Sequence, residues 1–446
     1  MSSSAGRRDL PSGWTSARFG ELCASSAFGP RFSSAHYSKD GGLATLRTTD
    51  MDDEGAISLK TMPLADIAPN SLESHLLEAG DLLISRSGTC GIAAVFPGHN
   101  VPTVPGAFLI RFRLHNGDSA PFYRRYFNSS VGRPFLDRLA VGGVQKNIKG
   151  SAVLALVVPA PPLPEQRKIA EVLETVDEAI RKTEQIIAKL RQVKQGLLHD
   201  LLTRGIGDNG ELRDPDRHPE QFKDSPLGRI PKGWAVQILD DVLESAVDGP
   251  FGSNLKTQHY VEAPGVRVVR LQNIGVGKFL DHEKAWVSAR HASSISRHEV
   301  RSGDFLVACL GDPTHPFARS CLYPPEFPPG IVKADCFRLR PNHRASALFL
   351  SDVLNTPRWR RGLAGLVHRS GVSRDRINLG KLRRLMIPLP PVAEQQCLGE
   401  ALEAMKARRE RELRELGKLR LLKQGIMEDL LTGRVRVNPL LERTPQ

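Results

Sequence analysis

The chain has no paired cysteines, no long apolar run and no phosphate-binding glycine loop. Its six cysteines, Cys23, Cys90, Cys309, Cys321, Cys336 and Cys397, lie far apart, and none forms a Cys-x-x-Cys pair. That spacing argues against a zinc ribbon or a dithiol redox motif, and buried free thiols in a reducing compartment are the simple expectation. Residues 1–10 are Ser-rich without an apolar core, so no secretory leader is expected. No stretch approaches the ~18 uncharged apolar residues of a membrane span. The expectation is a cytoplasmic protein with no membrane contact.

Catalytic signatures are also missing. There is no Gly-x-x-x-x-Gly-Lys-Ser/Thr loop, so an NTPase engine is not expected, and no Asn-Pro-Pro-aromatic tetrapeptide of amino-methyltransferases. Gly88-Thr89-Cys90-Gly91 and Gly275-Val276-Gly277 fall short of a dinucleotide fingerprint and read as turns. Asp281-His282-Glu283-Lys284 resembles a nuclease set only superficially, since adjacent carboxylates on one short stretch do not make a two-metal site. The 13 histidines show no paired metal-ligand spacing. We assign no catalytic residue, no metal ligand and no cofactor to this chain.

What is present is length and positive charge. At about 100–200 residues per domain, 446 residues allow two to four domains. Hydrophobic residues at 40 % and charged residues at 25 % are those of an ordinary globular protein, which excludes a disordered tail or a collagen-like fibre. Lys plus Arg is 62 against 49 Asp plus Glu, a net charge of +13 that makes a polyanion the first partner to consider. The plainer alternative is a basic protein with no such partner.

The chain is written twice. Pro11-Ser12-Gly13-Trp14 returns as Pro231-Lys232-Gly233-Trp234, 220 residues on. Ala79-Gly80-Asp81-Leu82-Leu83-Ile84 is echoed by Ser302-Gly303-Asp304-Phe305-Leu306-Val307 at 223. Pro161-Pro162-Leu163-Pro164-Glu165-Gln166 returns as Pro390-Pro391-Val392-Ala393-Glu394-Gln395 at 229, and Lys194-Gln195-Gly196-Leu197 as Lys423-Gln424-Gly425-Ile426 at the same offset. A drifting offset means loop insertions; a fixed one means an uninterrupted element. Each half is therefore a variable globular domain followed by a segment of fixed length.

The fixed segment predicts a long helix. Ile169, Leu173, Val176, Ile180, Thr183, Ile187, Leu190, Lys194, Leu197 and Leu201 recur at steps of four and three, the seam of a coiled coil. The second copy reads Leu398, Leu402, Met405, Arg409, Glu412, Leu416, Leu419, Lys423, Ile426 and Leu430, with a polar break at Arg409 and Glu412. At 1.5 Å per residue, the 39 residues from Glu165 to Thr203 make a rod of roughly 58 Å. One such stripe cannot be buried alone; two in one chain can cover each other. The boundaries expected are 12–160 for the first globular domain, 161–204 for its helix, 205–231 for a linker, 232–389 for the second domain and 390–433 for its helix.

The fold class expected is α+β. Each globular half has short apolar runs broken by Gly and Pro, such as 81–85, 107–113 and 266–271, and the last two alternate as half-buried strands do. Residues 121–139 and 345–366 read as helices.

Charge sits in equivalent places of the two halves. Residues 107–149 hold eight basic residues, Arg111, Arg113, Arg124, Arg125, Arg133, Arg138, Lys146 and Lys149, against Asp118 and Asp137. Residues 358–384 hold nine, Arg358, Arg360, Arg361, Arg369, Arg374, Arg376, Lys381, Arg383 and Arg384, against Asp375. A charge run is usually a solvated face, but two at matching positions favour nucleic acid, and arginine suits forked contacts to phosphate and guanine. Polar loops that could read bases lie alongside. They are Gly142-Gly143-Val144-Gln145-Lys146-Asn147 and, in the second half, Gly249-Pro250-Phe251-Gly252-Ser253-Asn254-Leu255-Lys256-Thr257 and 370–378. With these we group Arg31 of the Phe28-Gly29-Pro30-Arg31 loop, Arg86 and Ser87 after the 81–85 run, and Arg267 and Arg270 of the 266–271 run as expected DNA contacts.

These motifs in this order resemble the specificity subunit of type I restriction–modification enzymes. The carriers are Gly13-Trp14, Gln145-Lys146-Asn147-Ile148, Pro162-Leu163-Pro164-Glu165-Gln166 and Lys194-Gln195-Gly196-Leu197-Leu198. In the second half they are Gly233-Trp234, Asp248-Gly249-Pro250-Phe251-Gly252-Ser253, Pro388-Leu389-Pro390-Pro391, Glu394-Gln395 and Lys423-Gln424-Gly425. The resemblance covers about 11–205 and 231–437. It implies two β-rich target recognition domains, each reading half of a split, asymmetric site in double-stranded DNA. It implies that the two helices pack as an antiparallel coiled coil and set the spacing, with Ile169, Leu173, Leu190, Leu197, Leu402, Leu416, Leu419 and Ile426 among the residues serving spacer or partner contact. It implies docking of two adenine methyltransferase subunits and of restriction/translocase subunits, which would hold S-adenosylmethionine, ATP and Mg. The chain itself would be non-catalytic. It departs from the pattern at Arg374-Asp375-Arg376-Ile377-Asn378, which replaces Gln-Lys-Asn-Ile, and at the Arg409/Glu412 break. Two other classes fit less well. A self-contained restriction–modification enzyme needs the motifs found missing, and a coiled-coil adaptor leaves the matched basic patches unexplained.

Overall fold

Short apolar runs punctuated by Gly and Pro form short strands, and stretches with no proline beyond the first turn form the two long helices. The computed structural model describes residues 10–142, 146–207, 209–311, 315–364, 368–370 and 374–441. The chain divides into two units, Met1–Gln185 with Leu413–Gln446, and Ile186–Glu412. Each unit thus holds one globular half, the first part of the helix that follows it, and the last part of the other long helix.

The first unit is built on a four-stranded antiparallel sheet in the order Cys23–Phe28, Leu109–Leu114, Leu82–Ser85, Ala93–Val95. A three-stranded sheet of Leu64–Ala65, Leu43–Leu46 and Thr103–Pro105 lies in the same unit, and Thr15–Arg18 pairs with Val157–Ala160 just before the long helix. The second unit repeats the plan: Leu243–Asp248, Cys336–Pro341, Phe305–Ala308 and Ser320–Leu322 form its four-stranded sheet, and Ala235–Ile238 pairs with Met386–Leu389. Even the irregularity in the first strand recurs, at Cys23/Ser25 and Leu243/Ser245. The smaller sheet is larger here, with five strands, and keeps the parallel pair, now Val266–Val269 beside Gly330–Val332.

The expected single helices at 121–139 and 345–366 are each two. The first runs Ala120–Asn128 and restarts at Arg133–Leu139. The Ser129 hydroxyl accepts the Val131 and Gly132 amides, and a Cβ at Gly132 would fall 2.1 Å from the Tyr126 carbonyl oxygen. The second breaks between Ala347–Leu354 and Pro357–Ala364, where Pro357 lacks the amide a continuing helix needs. The 205–231 segment expected as a linker is folded into the second unit. Phe222–Lys223 pairs with Ile230–Pro231, and Ile206, Leu212 and Leu227 pack on its core.

The long helices run Leu163–Leu201 and Val392–Leu431. All ten seam positions expected on each are buried or half-buried, including Arg409 and Glu412. Within the first unit Asp177 bonds Lys423 at 2.8 Å and Glu184 bonds Arg420 at 2.7 Å, so the residue number falls on one helix as it rises on the other: the segments are antiparallel. In the second unit Leu201 and Leu202 share a core with Leu398 and Leu402 in the same sense.

A repeated clamp explains the Gly-Trp and Glu-Gln motifs. Trp14 Nε1 donates to Glu165 at 2.9 Å, and Arg436, beyond the end of the second helix, donates to the same carboxylate at 2.6 and 2.8 Å. In the second unit Trp234 Nε1 donates to Glu394 at 3.0 Å, and Arg213, beyond the end of the first helix, donates to it at 2.5 and 3.3 Å. Each helix ends at a left-handed glycine, Gly205 at φ +64° and Gly433 at φ +69°. A Cβ at Gly205 would meet Glu394 at 2.3 Å, and one at Gly433 would meet Pro11 at 2.3 Å. The following glutamine ties the loop before each helix: Gln166 Nε2 donates to the Pro161 carbonyl and Gln395 Nε2 to that of Pro390.

Candidate nucleic-acid interface

Strand pairing brings four loops of the first unit to one end of its main sheet. Phe28 pairs with Ile110, Ser85 with Leu109, and Ile84 with Ala93, so the segments after Phe28, after Ser85 and before Leu109 converge. The 141–149 segment joins them through the Ile148 amide, which donates to the Arg86 carbonyl at 2.9 Å. Phe28 (44 % exposed), Phe108 (51 %) and Val141 (74 %) stand out from this end, together with exposed Arg31, Lys146 and Lys149. Arg86 lies 4.5 Å over the Phe28 ring, and its Nε donates to Asn147 Oδ1 at 3.0 Å. Ser87 is buried and bridged through its backbone to Asn147.

The second unit builds the same end from other side chains. The Cys309 amide donates to the Asp335 carbonyl, the Ile377 amide to that of Cys309, and the Gly249 amide to that of Cys336. In the first unit the matching bonds join Arg86 to Phe108, Ile148 to Arg86, and Gly29 to Leu109. Phe28, Arg86, Phe108 and Asn147 therefore correspond to Asp248, Cys309, Asp335 and Arg376. Arg376 lies 5.7 Å over the exposed Phe251 ring and pairs with Asp335 at 2.8 Å. Burial, with Asp335 close by, pushes Asp248 up to about 6. Asn254, Lys256 and Thr257 are exposed in the neighbouring loop, where the Asn254 carbonyl meets His291 Nε2 at 2.8 Å. Lys333, which the sequence reading did not single out, sits here too, 5.4 Å over Tyr260.

The remaining arginines expected at DNA are held inside the fold. Arg113 forks onto Asp81 at 2.8 Å through both Nε and Nη2, and Arg340 does the same with Asp304 in the second unit. Buried Arg111 donates to the Leu76 carbonyl and the Ser25 hydroxyl; its counterpart Arg338 donates to the Ser245 hydroxyl. The strand Leu109–Leu114 is thus buried almost throughout, and its alternating arginines are not a solvent face. Arg124 and Arg125 turn to the long helix and meet Glu174, and Arg125 also meets Asp177. Arg267 is buried against Asp281 at 3.0 Å, and Arg270 faces Glu283. For these six the physical reason is common: each guanidinium is buried or half-buried and meets a carboxylate or another acceptor in its own unit, although Nε of Arg111, Arg267 and Arg270 has no hydrogen-bond partner among the described residues. Gln145 and the side chains of Ser253 and Arg374 lie outside the described residues.

Among the described residues no three His, Cys, Asp or Glu side chains group as a metal site, and no helix is long and apolar enough to cross a membrane. None of the six cysteines is in a disulfide, and Cys397 is exposed rather than buried.

Residues 11–192 match the family described as type I restriction modification DNA specificity domain. The chain is similar to the type I restriction enzyme MjaVIII specificity subunit of Methanocaldococcus jannaschii, with 26 % identity over 64 % of this chain and 63 % of that one. Its fold is that of the type I restriction–modification S subunit from M. genitalium, with a TM-score of 0.54 at 14 % identity over 95 % of this chain and 97 % of the other. A chain from work on complex assembly and conformational transition of the type I R-M system gives a TM-score of 0.56 at 19 % identity, over 96 % of this chain and all of the other.

Proposed function

We propose, from the premise that residues 11–192 belong to the type I restriction–modification DNA specificity family, that this chain is the sequence-reading subunit of such a system. It recognises a bipartite, asymmetric site in double-stranded DNA, one half-site per unit, and directs methyltransferase and restriction subunits to it. The observation that carries this reading is the duplicated sheet end, which in each unit carries a guanidinium stacked on an exposed phenylalanine but builds it from different positions and neighbours. One architecture with two chemistries suits two different half-sites. The long helices supply the spacer, since each is uninterrupted over about forty residues. The chain has no catalytic step of its own in this scheme. S-adenosylmethionine, ATP and Mg belong to the partner subunits, of which two are methyltransferases, and the complex works in the cytoplasm.

Exposed Arg31, Lys146, Lys149 and Lys256 and half-buried Lys333 serve the phosphates, so affinity falls steeply with salt. Loop side chains then discriminate bases. Binding-site selection with the chain and its methyltransferase subunits tests the proposal. The expected result is two short defined sequences separated by a fixed gap. Absence of sequence-selective binding at low salt, with the subunits assembled, defeats it.

A further inference from the structure

We infer that Arg86 is a base-reading residue of the first half-site and that it selects a guanine; this rests on the DNA-reading function proposed above. The backbone at Arg86 is fixed from both sides: its amide donates to the Phe108 carbonyl at 2.8 Å, and its carbonyl accepts the Ile148 amide at 2.9 Å. The side chain is fixed as well. Asn147 Oδ1 accepts from Nε at 3.0 Å, and the guanidinium stacks 4.5 Å over Phe28. Phe28 is in turn braced by Gly150, where an added Cβ would meet the ring at 3.2 Å. Asn147 is held by two backbone bonds to Val141, at 3.0 and 3.2 Å.

Among the described residues no carboxylate pairs with Arg86, and neither Nη atom has a partner. What this leaves is a rigid planar pair of donors at an exposed apolar rim of Phe28, Phe108 and Val141. Two adjacent acceptors complement such a fork, and in the major groove guanine O6 and N7 are that pair. Phosphate oxygens could also accept. The comparison with the second unit favours the base. A phosphate contact is independent of sequence and gains nothing from changing between copies. Yet Arg86, Asn147, Phe28 and Phe108 are replaced by Cys309, Arg376, Asp248 and Asp335. The arginine of that set comes from a different segment and is already paired, with Asp335 at 2.8 Å. The position varies as a specificity determinant would, within one scaffold.

The test is site selection and affinity measurement on single-base variants, using the full chain assembled with its methyltransferase subunits. Arg86→Ala is expected to flatten the guanine preference at one base pair of one half-site, a loss of roughly 5- to 150-fold in discrimination, with the other half-site and the gap unchanged. Arg86→Lys keeps the charge but not the fork; it should lose part of that discrimination while leaving the salt dependence as in the unaltered chain. Arg86→Lys also serves if Arg86→Ala fails to fold. The inference is overturned if both variants keep every base preference. It is equally overturned if Arg86→Ala weakens all sequences alike, with a salt slope lower by about one that Arg86→Lys restores: that is a phosphate contact. If the unaltered complex shows no sequence preference, the functional reading fails instead, before Arg86 is in question.

Discussion

In the first unit Arg125, on the helix Ala120–Asn128, bonds Asp177 of the long helix; in the second, Asp352 of Ala347–Leu354 bonds Lys406 at 2.8 Å. The helices correspond at an offset of 227 and the long helices at 229, so this is one ion pair with its charges exchanged. The exchange reaches the antiparallel neighbour. Lys423 reaches Asp177 at 2.8 Å, whereas Lys194, its counterpart, is left near Lys406 and Arg409. Burial, then Lys406, lowers the Lys194 pKa. Burial would raise Asp177, but its bonds to Lys423 and Arg125 outweigh that and hold it low. Asp352 moves the other way, because burial there exceeds the help from Lys406. One shared plan thus carries unequal electrostatics, and the units are expected to answer the same substitution differently.

The largest difference is expected at the exchanged pair itself. Lys406→Ala strips buried Asp352 of its bonded cation and should cost about 3–5 kcal/mol in urea unfolding of the second unit. Arg125→Ala should cost less, about 2 kcal/mol, because Lys423 still holds Asp177. Equal losses would show that Lys423 contributes nothing to Asp177. The clamps come next. Glu165→Gln and Glu394→Gln each keep size but weaken charge-assisted bonds, and each should cost about 1.5–3 kcal/mol. Glu394 also accepts the Ile206 amide at 2.9 Å, so weakening it should speed amide exchange at Ile206 and not around Arg436.

Smaller effects carry the sharpest contrast in sign. Lys194→Met should raise stability by about 0.5 kcal/mol, whereas Lys423→Met should lower it by at least that much. The same sign for both would end the argument from exchange. The last contrast is in pH dependence. The folded state holds a proton on Asp248 that the unfolded chain releases at its ordinary, lower pKa. Stability from this group is therefore full below the ordinary carboxylate value and is lost as pH rises to about 6. Asp248→Asn should flatten that slope in melts between pH 4 and 6, and no first-unit position equivalent to it carries a titrating group.

The repeat, the long helices and both seams were legible because they depend on local spacing, and helical periodicity leaves its mark on every turn. The Gly-Asp echo at 80–81 and 303–304 was visible too, but not its purpose. Asp81 and Asp304 exist to hold Arg113 and Arg340, partners more than thirty residues away that only the sheet register brings near. Hence the sequence did not show which arginines the fold pairs internally. An alternating Arg in a strand reads the same whether it faces water or a buried carboxylate. Arg86 was picked for its place after an apolar run, while Phe28, which stacks beneath it, was passed over because its loop is far away in sequence. Gly132 and Pro357 could have announced the breaks in the short helices; the apolar pattern running through them hid the signal.

The central claim is that two units read two half-sites across a gap set by the helices. Seven-residue helical insertions after Gln185 and after Glu412 keep the seam in phase and lengthen both helices by about 10 Å, or about three base pairs. Mapping the methylated sites made by the assembled complex measures the outcome directly. The account predicts the same two half-sites with the gap longer by about three base pairs. An unchanged gap, or altered half-sites, would contradict it.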